Sequence, residues 1–118
     1  MILVDTSVWV THLRKGSPRL KKLLEDVEVA SHPMVIGELA CGSLRNRSEI
    51  LSMLETLPQV TVADHLEVLR FIEKKHLMGT GIGYVDAHLL ASVVLSDDLL
   101  WTEDNHLKKA AMSLNVAA

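Results

Sequence analysis

A single cysteine, one phenylalanine, one tyrosine and three prolines are spread over 118 residues, and each scarcity closes off a kind of protein. Cys41, having no partner, forms no internal disulfide; the fold does not depend on an oxidising compartment, and a cytoplasmic location is expected. Six histidines are present, but none pairs with cysteine at the spacing of a zinc site. No stretch reaches the ~18 apolar residues of a membrane span, and the amino terminus has no basic region of an export signal, so neither insertion nor export is expected. Gly79, Gly81 and Gly83 lack the Lys-Ser/Thr that would make them a phosphate loop. There is no biased tract and no repeat at a fixed period.

What remains is an ordinary globular composition, 48% hydrophobic and 23% charged, long enough to bury about two thirds of its unfolded surface in one core. One domain covering residues 1–118 is expected. The formal charge of -3 opposes a polyanionic partner at first sight. The distribution says more. Val10 to Leu24 contains no acid but carries Arg14, Lys15, Arg19, Lys21 and Lys22, with Arg45 and Arg47 as a second basic spot. Setting four acids aside as a metal site turns -3 into +1, so a basic rim around an acidic pit fits the chain as well as scattered surface charge does.

The opening MILVDTSVW is the pivot. Ile2, Leu3 and Val4 read as a strand buried on both faces, ended by Asp5, with Thr6 and Ser7 as caps for a following helix over Val8–Leu13. Ser17-Pro18 opens the next helix. Val27 to Ala30 reads as a strand, and Ser31-His32-Pro33 starts a helix to about Leu44. Gly37 and Gly42 in that helix are easiest to explain by close approach of a backbone or ligand. Ser48 is the expected cap of a helix through Leu57, followed by an extended Val60–Val62. Asp64 and Glu67 have capping-box spacing and are assigned to structure. A Gly-rich loop then leads into a largely buried helix from Tyr84 to Leu95. Leu99–Thr102 is a strand, Asp104 opens the last helix, and Val116 starts a final strand. Strands alternating with helices predict an α/β fold with a parallel sheet covered on both faces.

Asp5, Glu38, Asp86 and Asp104 each interrupt or follow an apolar segment near a strand end or helix start. Individually, Asp86 and Asp104 read as first-turn acids and Asp5 as an Asx turn; Glu38 has no partner in its own helix. Gathered at one sheet edge, four carboxylates repel unless some are protonated or a cation intervenes. Mg²⁺ or Mn²⁺ takes oxygen ligands and activates water for in-line attack on phosphorus, so the chemistry inferred is phosphodiester hydrolysis.

In ILVDTSVW, GELACG, GYVDAHLLAS and LLWTEDNHL, taken together and in this order, the chain resembles the PIN-domain nucleases, most of all the VapC-like toxins of toxin-antitoxin systems. The resemblance implies a three-layer α/β/α fold with a central, mostly parallel sheet. It also implies a Mg²⁺- or Mn²⁺-dependent endoribonuclease, a homodimer, and a cognate antitoxin protein that occludes the acidic pocket. Carried over by position, Asp5, Glu38, Asp86 and Asp104 become the catalytic and metal-binding acids, with Thr102 and Ser7 supporting them by hydrogen bonds. Arg14, Lys15, Arg19 and His12 become the candidate RNA contacts. Glu103 and Asn105 depart from the family, where a basic residue often stands, and Glu103 is a competing ligand ranked below Asp104.

Two other readings share these acids. A DNA-directed or structure-specific nuclease needs the same site, which does not itself read a 2′-hydroxyl. An aspartyl phosphoacceptor or phosphatase also places Asp at a strand end, but Ser7 rather than Asp follows two residues after Asp5. His88 and His106, each two residues after an acid, are expected on other faces; Cys41, Trp9 and Trp101 are expected in the core.

Overall fold

A computed structural model describes all 118 residues. Three parallel strands, β1 (Ile2–Val4), β2 (Val29–Ala30) and β3 (Leu99–Trp101), form a sheet in the order β2-β1-β3. Seven helices connect and cover it: α1 (Thr6–Lys15), α2 (Pro18–Glu25), α3 (Pro33–Ala40), α4 (Arg47–Thr56), α5 (His65–Lys74), α6 (Tyr84–Ser96) and α7 (Asn105–Ser113). Single parallel bridges extend the sheet at both edges, Ser31 to Gln59 and Leu100 to Ala117. The two extended pieces expected near Val60 and Val116 are thus one bridge each.

The chain leaves β1 for β2 on one side and returns as β3 on the other. Parallel crossovers are right-handed, so this reversal sends the connecting helices to opposite faces and opens a crevice at the carboxyl ends of β1 and β3. Leu3 and Val4 are fully buried, as a central strand covered on both faces requires. They belong to a core of 19 buried residues that includes Trp9, Leu20, Leu54, Leu90 and Leu107. A second, smaller cluster of Ala63, Val68, Ala87 and Ala91 lets α5 lie close to α6. Within α6 every residue from Ala87 to Val93 is buried. No helix is long and apolar enough to cross a membrane.

Several local expectations change. Thr6 and Ser7 are the first residues of α1, and Asp5 is its N-cap without a capping side-chain bond; all three side chains are committed elsewhere. Val27 is not in a strand, because residues 26–28 close α2: Val27 and Glu28 N–H donate to the Leu24 and Leu23 carbonyls, and Val27 takes φ +55°. Helix α3 stops at Ala40, whose carbonyl accepts a hydrogen bond from Arg47 Nη2 at 2.9 Å, satisfying one of the groups a helix end leaves open. Cys41, next in line, is therefore exposed rather than buried. A Cβ at Gly37 would meet nothing within 4 Å outside its own helix, and one at Gly42 only the Leu39 carbonyl, so neither position marks a close approach. Asn46, not Ser48, is the residue before α4, in the left-handed conformation that Asn tolerates. The Ser17 cap and the Asp64–Glu67 capping box form as the spacing predicts.

Candidate active site

Asp5 stands at the carboxyl end of β1, 6% exposed, and its backbone N–H donates to the Trp101 carbonyl across the sheet. Ser7 Oγ and Thr102 Oγ1 both donate to Asp5 Oδ2, each at 2.8 Å. The same two hydroxyls accept from backbone N–H groups beyond β3, Glu103 to Ser7 and Asp104 to Thr102, each at 3.0 Å. Each hydroxyl thus gives its proton to Asp5 and takes one from the 103–104 turn. Their own 3.3 Å separation follows from sharing an acceptor.

The other acids arrive on three helices. Glu38, on the exposed side of α3, accepts from Thr6 Oγ1 at 2.7 Å through Oε1, a bond across the α1–α3 packing contact that the sequence reading missed by assigning Thr6 to a cap. Asp86, in the first turn of α6, accepts from the Gly83 N–H through Oδ2. Asp104 caps α7, its Oδ1 accepting from the Leu107 N–H at 2.9 Å. The expectation of ordinary helix-terminal acids therefore holds for one oxygen of Asp86 and one of Asp104. Across all four carboxylates the pattern is the same: one oxygen is engaged by the protein, and Asp5 Oδ1, Glu38 Oε2, Asp86 Oδ1 and Asp104 Oδ2 accept no hydrogen bond.

The four share one electrostatic environment. Burial is the main reason the Asp86 carboxyl titrates above the usual carboxylate range; the Gly83 N–H opposes it, and Asp5, Asp104 and Glu38 each push it further up. No base answers them. The two ion pairs of the molecule, Met1 amino group to Asp98 and Lys22 to Asp26, lie outside the group. No three acidic, histidine or cysteine side chains converge into a ready-made metal cage.

Glu103 turns away from this cluster and accepts from Thr11 Oγ1 at 2.8 Å, tying the 103 turn to α1. His88 points inward, its ring edge-on to His32 at 4.9 Å, and His106 packs under the backbone of Gly81. His12 spends Nδ1 on the Ser17 N–H at 3.0 Å, closing the α1–α2 turn. Arg14 and Lys15 are exposed in the last turn of α1. Arg19 lies over the Trp101 ring, 4.2 Å from its centroid; Trp101, expected in the core, is partly exposed at its edge, whereas Trp9 is fully buried.

A parallel sheet whose strand order reverses at β1, with Asp5 at the carboxyl end of that strand and Asp104 just beyond β3, defines an α/β architecture with its ligand crevice at this edge. The PIN-domain family model matches residues 2–112, and the chain belongs to that family. It is 50% identical over 118 residues to ribonuclease VapC32 of Mycobacterium tuberculosis, in two strains, covering 99% of this chain and 95% of the relative. Among solved structures it is similar to FitAcB from Neisseria gonorrhoeae, at 20% identity and TM-score 0.65, over 99% of this chain and 95% of that one. PAE2754 from Pyrobaculum aerophilum aligns over 92% and 78% of the two chains, at 20% identity and TM-score 0.62. These two likenesses concern the fold.

Proposed function

We propose that this chain is an endoribonuclease, the toxin of a toxin-antitoxin pair, dependent on Mg²⁺ or Mn²⁺ and working through Asp5, Glu38, Asp86 and Asp104. The observation that carries the reading is the shared pattern of the four carboxylates: one oxygen each fixed by the protein, one each free, and none paired with a base. The similarity to a ribonuclease along nearly the whole chain supports RNA as substrate.

The residues fit a hard cation. All donors are oxygens, and none of the four carboxylates is ion-paired within the protein. An ion that keeps several waters is held by one or two carboxylates plus substrate phosphate and needs no preformed cage of three ligands. When bound, such an ion lowers the pKa of a coordinated water and offsets charge on the leaving oxygen. Thr102 and Ser7 fix the Asp5 carboxylate through Oδ2 and leave Oδ1 unspent, and Thr6 does the same for Glu38 through Oε1, leaving Oε2. The free oxygens orient the attacking water and accept its proton. Arg14, Lys15 and Arg19 are the cations available to RNA phosphates, while His12 contributes through the turn that presents them.

The partner is an antitoxin protein that covers the acidic pocket, the toxin itself a homodimer, the compartment the cytoplasm, and residues 1–118 act as one unit. The test incubates purified protein with RNA and with single- and double-stranded DNA of matched sequence, in Mg²⁺, Mn²⁺ or chelator. RNA cleavage that needs a divalent ion and disappears in Asp5→Asn is the expected result. Cleavage of DNA alone, or metal-free activity surviving Asp5→Asn, refutes it.

A further inference from the structure

Beside the acids lies a recess with the opposite character. Arg19, Trp101, Thr102, Lys108 and Ala111 line a pocket of about 60 Å³ between α2, the end of β3, α7 and the 117–118 segment that bridges to Leu100, whose residues complete the wall. At ~10–15 Å³ per water, that is room for about four to six waters, enough to admit one small anion. Arg19 is held by its stacking on Trp101, yet the only lysine and arginine side chains that donate hydrogen bonds within the protein are those of Lys22 and Arg47. All five Arg19 donors and all three on Lys108 are therefore unspent. A guanidinium ordered by an aromatic ring, with its forked donors free, is pre-organised for phosphate.

Its location gives the recess a role. Thr102 belongs both to the recess and to the Asp5 hydrogen-bond network, and Lys108 sits one turn into the helix that Asp104 caps. The Cα atoms of Trp101 and Asp104 are at most about 11 Å apart along the chain. An anion in the recess thus lies next to the carboxylates without entering them, held by Arg19 and Lys108, whose positive charge offsets the carboxylates' repulsion toward a nucleic-acid strand. The geometry points to a phosphate subsite at Arg19 and Lys108 that grips the backbone of the bound strand beside the bond to be cut. This rests on the ribonuclease reading above.

The test has two arms. In the first, inorganic phosphate is titrated into the protein at constant ionic strength while the two tryptophan indole N–H signals are followed by NMR, Trp101 being assigned with Trp101→Phe. Phosphate is expected to move the Trp101 signal, and Arg19→Met, which keeps the stem packed on the ring, abolishes the movement. In the second arm, a labelled single-stranded RNA binds the Asp5→Asn protein over a range of salt. Arg19→Met with Lys108→Met is expected to flatten the log–log salt slope by about 0.7, the value for one phosphate contact, and to cost about tenfold in affinity at low salt. Lys75→Met, a control charge removal on α5, leaves the slope in place. A slope unchanged by the double replacement overturns the subsite while the ribonuclease reading stands. A Trp101 signal indifferent to phosphate overturns it as well. Phosphate binding at Trp101 with no RNA binding at all leaves an anion site and overturns the ribonuclease reading instead.

Discussion

His32 makes the stability of this protein depend on pH in the mildly acidic range. Its ring is fully buried before α3, where Nδ1 accepts from the Met34 N–H at 3.0 Å as the helix cap. That bond fixes the tautomer: the proton is on Nε2, which donates to Ser92 Oγ at 3.0 Å. Ser92 in turn accepts from the Ala63 N–H and donates to the His88 carbonyl, so every group in this network is satisfied only while the imidazole is neutral. Burial first, and neighbouring His88 second, lower the His32 pKa from 6.5 to about 4. Between those values the unfolded chain binds a proton that the folded one does not. Stability from this group is therefore complete above pH 6.5 and falls away as pH drops toward 4. Relative to neutral pH, the loss at pH 5 comes to about 2 kcal/mol, or about 1 M in urea midpoint for a chain with m near 2 kcal/mol/M. Urea unfolding at pH 7.5 and 5.0 measures it. His32→Asn keeps a capping oxygen for Met34 and removes the titrating group; it is less stable at pH 7.5 through lost packing, but its midpoint should fall by about 1 M less between the two pH values. If parent and variant lose equal stability on acidification, the His32 argument is wrong.

Four further outcomes follow from the same geometry. Asp86→Asn, by removing a half-buried charge facing three others, should raise Tm by a few degrees in chelator while abolishing RNA cleavage, with the Tm advantage shrinking in Mg²⁺; a lower Tm in chelator would refute the uncompensated-charge account. Thr6→Val should leave Tm within a few degrees but weaken Mn²⁺ binding by calorimetry, because Glu38 loses the bond that orients it; unchanged affinity would refute this. Gly37→Ala, with ordinary φ and open space around it, should stabilise by up to about 1 kcal/mol in urea unfolding, and destabilisation would show that something does approach α3 there. Gly81→Ala should cost about 1–3 kcal/mol, since Gly81 sits at φ +88° and a Cβ would lie 2.6 Å from the His106 ring; His106→Ala should recover only part of that, the backbone strain remaining.

The comparison of strands and caps shows where one-dimensional reasoning works. Ser17-Pro18 and Asp64–Glu67 are readable because their partners lie within three residues, and the physics of a helix start is complete at that range. The end of α3 was not readable, because the carbonyl that ends it is satisfied by Arg47, seven residues on and across a turn. Cys41 became exposed for the same reason. The edge strands at Gln59 and Ala117 shrink to single bridges because their hydrogen-bond partners, Ser31 and Leu100, are set by sheet order.

The sequence by itself determined the pivot: an apolar strand stopped by Asp5, three further acids at the starts or in the middle of apolar helices, and an alternation of strand and helix that allows only a parallel sheet with its ligand edge at the strand ends. Only the tertiary structure decided which atoms meet. Thr6 on Glu38, Thr102 on Asp5, Glu103 turned back to Thr11, and Arg19 laid over Trp101 are contacts across 32 to 97 residues of chain. Hydrophobic periodicity specifies which face of a segment is buried; the partner it finds there is fixed by how the helices pack around β1, and that is a property of the whole fold.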